Sequence, residues 1–83
     1  MIIIYGTPAC GFCIQAKNIC TQKGVDYTYV DLSETTAEQQ KNLMKIAGKP
    51  FRTVPQVFHK GFGTEELRYI GGFTDLKAEL DTI

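Results

Sequence analysis

The chain has 83 residues, 43% of them hydrophobic and 22% charged, enough for one modest core and too few residues for a second domain. Nine basic and nine acidic residues cancel to a net charge of zero, which excludes the electrostatic footprint of a nucleic-acid binder or of a protein held on an anionic membrane. No stretch approaches the roughly 20 apolar residues of a membrane span. The opening MIIIYG lacks the basic region and long apolar run of a signal peptide. The expectation is a single domain over residues 1–83, cytoplasmic, in a compartment that keeps thiols reduced.

Along the chain, Ile2-Ile3-Ile4-Tyr5 is β-branched and aromatic and reads as a short buried strand. Gly6-Thr7-Pro8-Ala9 breaks it. Over residues 11–23 the pattern turns helical: Cys13, Ala16 and Cys20 fall at i, i+3 and i+7, with Ile19 beside them, so one face packs inward. Gly24 is a natural stop, and residues 26–31 form a second strand. Strand, helix and strand with short links make a right-handed unit with parallel strands. Thr35 and Thr36 with Glu38 mark a second helix, which runs to Ala47 and is ended by Gly48 and Pro50.

Residues 54–58 follow as a strand opened by Pro55, a position where proline is tolerated. Lys60-Gly61-Phe62-Gly63 is turn material, residues 67–70 return as the second strand of a hairpin, and Gly71-Gly72 closes it. Phe73, Leu76, Leu80 and Ile83 line one face of a last helix. The order βαβ-α-ββ-α is an α/β fold: a four-stranded mixed sheet with three helices, the thioredoxin-like architecture. His59 reads as an exposed hairpin residue.

Cys10-Gly11-Phe12-Cys13 lies where the first strand hands over to the first helix. Free backbone N–H groups and the positive end of the helix dipole favour an anion there, and the thiolate is the nucleophilic form of cysteine. Cys13, one turn further in, is suited to resolve a mixed disulfide. Two rival readings are a zinc half-site and a static disulfide. A structural zinc site needs four ligands, and the remaining candidates are Cys20, on the inward face, and His59. A disulfide between cysteines this close closes a tiny loop and stabilises little. Cys20 reads as a small core residue.

Three motifs and the order of elements resemble the glutaredoxins over nearly the whole chain. They are Tyr5-x-x-Pro8-x-Cys10-x-x-Cys13 continuing to Ala16-Lys17, then Arg52-Thr53-Val54-Pro55-Gln56-Val57-Phe58, and Gly71-Gly72-Phe73-Thr74-Asp75-Leu76. The resemblance implies a glutathione-dependent thiol–disulfide oxidoreductase with no metal, in which Cys10 attacks and becomes glutathionylated and Cys13 resolves. It implies a cis Pro55 that sets the Val54 backbone beside Cys10, where the Val54 N–H and C=O pair with glutathione's cysteinyl backbone like a short added strand. Thr74 and Asp75 would take the γ-glutamyl end, and Phe12 would wall the bound peptide. Arg52, or more weakly Lys49, would take the glycine carboxylate, with Thr53 and Gly72 completing the groove. Asp75 and Thr74 also read as a helix cap. The implied partners are glutathione and disulfide-containing proteins, ribonucleotide reductase among the family's candidates, with the chain acting as a monomer.

Departures from the family pattern keep other readings open. Many glutaredoxins carry lysine three residues before the first cysteine; Thr7 stands here, which removes a nearby positive charge. The hairpin of residues 58–67 is longer than in compact relatives, and residues 62–66 read as a solvated loop. CGFC differs by one residue from the CGFS of iron–sulfur-handling relatives, so a cluster carrier is one alternative. Gly72-Phe73 echoes hydrogen donors that draw electrons from thioredoxin reductase, which is another.

Overall fold

Four strands and three helices form in the expected order: β1 (Ile2–Gly6), α1 (Gly11–Gln22), β2 (Tyr27–Asp31), α2 (Ala37–Ala47), β3 (Gln56–Lys60), β4 (Leu67–Gly71) and α3 (Phe73–Asp81). They are seen in a computed structural model that describes residues 1–61 and 66–82. The turn residues Phe62 and Gly63, and Ile83 of the last helical face, lie outside the described residues. The strands form one mixed sheet in the order β2-β1-β3-β4. β1 runs parallel to β2, with Ile2 opposite Tyr27, and antiparallel to β3, with Ile2 opposite His59. β3 pairs antiparallel with β4. The parallel pair is the one bridged by α1, as the crossover requires.

Side-chain alternation along β1 decides what each face buries. Ile2 and Ile4 point into the main core with Ala16 and Cys20 of α1, Val57 of β3, and Leu76 and Leu80 of α3. Cys20 is fully buried there, as its helical spacing predicts. A second aromatic layer is centred on Phe58, also fully buried. Its ring meets Tyr5 edge-on at 5.6 Å, Phe51 at 6.1 Å and Tyr69 at 5.2 Å between centroids, spacings at which aromatic pairs attract. Among the described residues no helix is long and apolar enough to cross a membrane.

Local structure departs from the sequence reading at four points. The N-cap of α2 is Thr36, and its reciprocal partner is Gln39, not Glu38: the Gln39 N–H donates to Thr36 Oγ1 at 3.1 Å and the Thr36 N–H to Gln39 Oε1 at 2.9 Å. A capping box needs the residue three positions on, and that is Gln39. A 3₁₀ turn over Leu32–Glu34 precedes it, with Asp31 accepting from the Ser33 N–H at 2.9 Å. β3 starts at Gln56, not Val54, because the chain bends at residues 53–54; the Val54–Pro55 peptide that follows the bend is cis. His59 is a hairpin residue as expected, but half-buried rather than exposed: it sits within β3, paired with Ile2 on one side and Arg68 on the other, so its flanks are covered.

Candidate active site

β1 ends at Gly6, and the next four residues carry the chain from the end of this interior strand to α1. Cys10 is the N-cap of α1, with extended backbone. N-caps are usually oxygen-bearing side chains; here the Cys10 sulfur takes that role, accepting the Cys13 N–H at 3.2 Å. The thiol therefore lies on the orphan donors of the first helical turn, where negative charge is favoured. Its other neighbour comes from the far side of the chain: Cys10 Sγ lies 3.6 Å from the Val54 carbonyl oxygen.

Cys13 is 1% exposed. Its sulfur lies against Gly6 so closely that a Cβ at Gly6 would overlap it, which is why this turn needs glycine. Burial, reinforced by the Cys10 thiol beside it, pushes the Cys13 thiol up to about 11, against a weaker downward pull from the Thr7 backbone and the Lys17 ammonium. The two cysteines are thus unlike: one half-exposed and accepting a helix N–H, the other enclosed and protonated at neutral pH. Both are free thiols.

The cis-Pro55 turn is fastened from below by Gln56, 3% exposed. Gln56 Nε2 donates to the Thr53 carbonyl oxygen at 2.7 Å, and Gln56 Oε1 accepts from the Tyr69 hydroxyl of β4 at 2.6 Å. Val54 thereby keeps its place beside Cys10. Sequence reading missed this brace, because only the β3–β4 register brings Gln56 and Tyr69 together. Tyr69→Phe keeps the ring on Phe58 and leaves a buried acceptor without its donor, at a cost of about 1–3 kcal/mol. At roughly 4–8 °C per kcal/mol in a domain of this size, thermal unfolding should shift down by several degrees, and an unmoved midpoint would show that the brace carries no load.

α3 closes the site. Gly71 has φ +132, and a Cβ there would overlap the Asp75 carboxylate, so glycine is required on both counts. Asp75 Oδ2 accepts from the Gly72 N–H at 3.2 Å, and a Cβ on Gly72 would lie 3.8 Å from the Pro55 carbonyl oxygen. Gly72, Pro55, Val54 and Cys10 are therefore contiguous. The exposed Phe12 ring stands 6.0 Å from that of Phe73, so the first turns of α1 and α3 flank the same groove. Thr74 and Asp75 are exposed in the first turn of α3. Arg52 and Thr53 lie with Lys49, Pro50 and Gln56 around an open cleft of about 260 Å³ beside the cis-Pro turn. Cys20 and His59 are not drawn to the pair: Cys20 is in the core, and His59 is level with Ile2, at the opposite end of β1.

Two free thiols in unequal environments, the Val54 carbonyl beside the first of them and a helix N-terminus bearing a carboxylate make an arrangement suited to thiol–disulfide exchange. A family model described as glutaredoxin matches residues 2–62. The glutaredoxin of Haemophilus influenzae is 38% identical over 82 residues, covering 93% of this chain and 86% of that protein. Glutaredoxin 1 of Escherichia coli is 32% identical, covering 92% and 87%. The solved structure of reduced Escherichia coli glutaredoxin superposes with a TM-score of 0.71 at 32% identity, covering 98% of this chain and 93% of that one. A buckwheat glutaredoxin–glutathione complex superposes with a TM-score of 0.71 at 25% identity, covering 98% and 68%.

Proposed function

From the premise that the chain belongs to the glutaredoxin family and is a thiol–disulfide oxidoreductase, we propose that it reduces protein disulfides and glutathione mixed disulfides in the cytoplasm with glutathione as electron source. The observation that carries this reading is the position of Cys10 Sγ, capped by the Cys13 N–H and 3.6 Å from the Val54 carbonyl. A peptide bonded through sulfur to Cys10 then lies along the Val54 edge, where main-chain pairing is available.

The Cys10 thiolate attacks the sulfur of a glutathionyl group on a protein. A Cys10–glutathione disulfide forms, and the protein thiolate leaves and takes a proton from solvent. A second glutathione thiolate attacks the glutathionyl sulfur, releasing glutathione disulfide and returning Cys10. For a protein disulfide the first adduct joins Cys10 to the substrate, and Cys13 displaces the substrate by attacking Cys10 Sγ, leaving a Cys10–Cys13 disulfide that two glutathione molecules reduce in turn with release of glutathione disulfide. In this reading Val54 pairs with the cysteinyl backbone of glutathione and the α3 N-terminus receives its γ-glutamyl carboxylate. Asp75 pairs with the ammonium, Arg52 takes the glycine carboxylate, and Phe12 with Thr53, Pro55, Gly72 and Thr74 shapes the groove. Ribonucleotide reductase is one acceptor that a dithiol donor of this kind serves. A coupled NADPH assay tests the electron source: turnover is expected with glutathione and glutathione reductase, and turnover with thioredoxin reductase alone would replace glutathione in this scheme.

A further inference from the structure

The resolving cysteine poses a problem that the scheme above leaves open. Cys13 is almost fully buried and its thiol is held up to about 11, chiefly by burial. At neutral pH the nucleophile of the second step is therefore scarce. Helix geometry places one cation to help. Lys17 is four residues after Cys13 in α1, so the two side chains share a helix face. Lys17 is half-buried, and its ammonium lies 4.5 Å from the centroid of the Tyr29 ring, close enough for cation–π attraction. Tyr29 also reaches the active-site floor. The point where a Gly6 Cβ would stand, overlapping the Cys13 sulfur, is 3.3 Å from Tyr29 Cε2. Lys17 thus rests on an aromatic ring of β2 whose edge, like the Cys13 sulfur, borders the space beside Gly6.

We infer that Lys17, laid over the Tyr29 ring, is a positioning residue for the resolving step, its ammonium held to stabilise the Cys13 sulfur as an anion while it attacks the Cys10–substrate disulfide. In that step the Cys13 thiol first loses its proton to solvent. The Cys13–Cys10 sulfur bond forms, the Cys10–substrate sulfur bond breaks, and two electrons leave with the substrate thiolate, which is protonated by solvent. The inference rests on the reading of Cys13 as the resolving thiol.

The magnitude follows from two opposed effects. Removing one positive charge near a thiol lowers the thiolate fraction by about a decade or more. The surviving thiolate is more basic and gains about threefold in nucleophilicity per decade, so about half of that loss is recovered on a logarithmic scale. Net slowing of about three- to tenfold is expected, confined to the step that uses Cys13. Two probes separate the arms: a peptide with an internal disulfide, which needs Cys13, and a glutathionylated peptide, which does not. Lys17→Gln should slow reduction of the first about three- to tenfold and leave the second at the wild-type rate, and Lys17→Arg, which keeps a charge able to stack on the ring, should restore the first. Unchanged disulfide reduction in Lys17→Gln, or equal slowing on both probes, would overturn the role of Lys17. Cys13→Ser, run alongside, tests the underlying reading separately: if it still reduces the peptide disulfide, the resolving role of Cys13 itself is wrong.

Discussion

Cys10→Ser is expected to abolish turnover on every substrate, because the sulfur that forms the first bond is gone. Cys13→Ser is expected to divide the activities, losing reduction of protein disulfides while retaining deglutathionylation, since external glutathione can resolve the Cys10 adduct. The asymmetry has a structural origin. Cys10 is half-exposed and accepts a helix N–H, whereas Cys13 is enclosed against Gly6 and protonated at neutral pH. Attack from solvent on a substrate sulfur is open to the first and closed to the second. Steady-state rates of both variants on both substrate types check this, and equal loss in the two variants would contradict the division of roles.

Asp75→Ala is expected to lower the efficiency of glutathione use by about one to two decades, the worth of a charge-assisted contact of about 1.5–3 kcal/mol. The carboxylate has two duties. It accepts the Gly72 N–H in front of α3, and in the proposed complex it faces the γ-glutamyl ammonium. Loss of the cap alone costs about 0.5–2 kcal/mol of stability. Asp75→Asn separates them, because an amide oxygen still accepts the Gly72 N–H but carries no charge. It should melt close to wild type and use glutathione as poorly as Asp75→Ala. Unchanged glutathione kinetics in a well-folded Asp75→Ala protein would reduce Asp75 to a cap.

Much of this site is legible in the sequence because its parts are local. The strand ending in Gly6, the cysteine pair at a helix start, and Gly71-Gly72 before α3 each declare themselves through backbone requirements within a few residues. The inward positions Cys13, Ala16 and Cys20 follow from helical spacing and are buried as a set. What escapes sequence reading is non-local. Gln56 and Tyr69 meet only through the register of β3 and β4, and Lys17 reaches Tyr29 only because α1 packs over the parallel pair. Each of these residues has a bland reading in its own element, as a polar strand position, a half-buried aromatic or a solvated helix lysine. The late start of β3 is likewise set by the bend at residues 53–54 and the Gln56 bond to Thr53, where alternation alone would carry the strand back to Val54.

In the proposed cycle Cys10 carries the glutathionyl group. This role is tested most directly by intact-mass analysis and peptide mapping of the Cys13→Ser protein after exposure to glutathione disulfide. Cys10 and Cys20 are then the only thiols left, and Cys20 is fully buried in the core. A single glutathionyl group is predicted, mapped to Cys10 and removed by added glutathione. An unmodified protein, or a modification mapped to Cys20, would contradict the account.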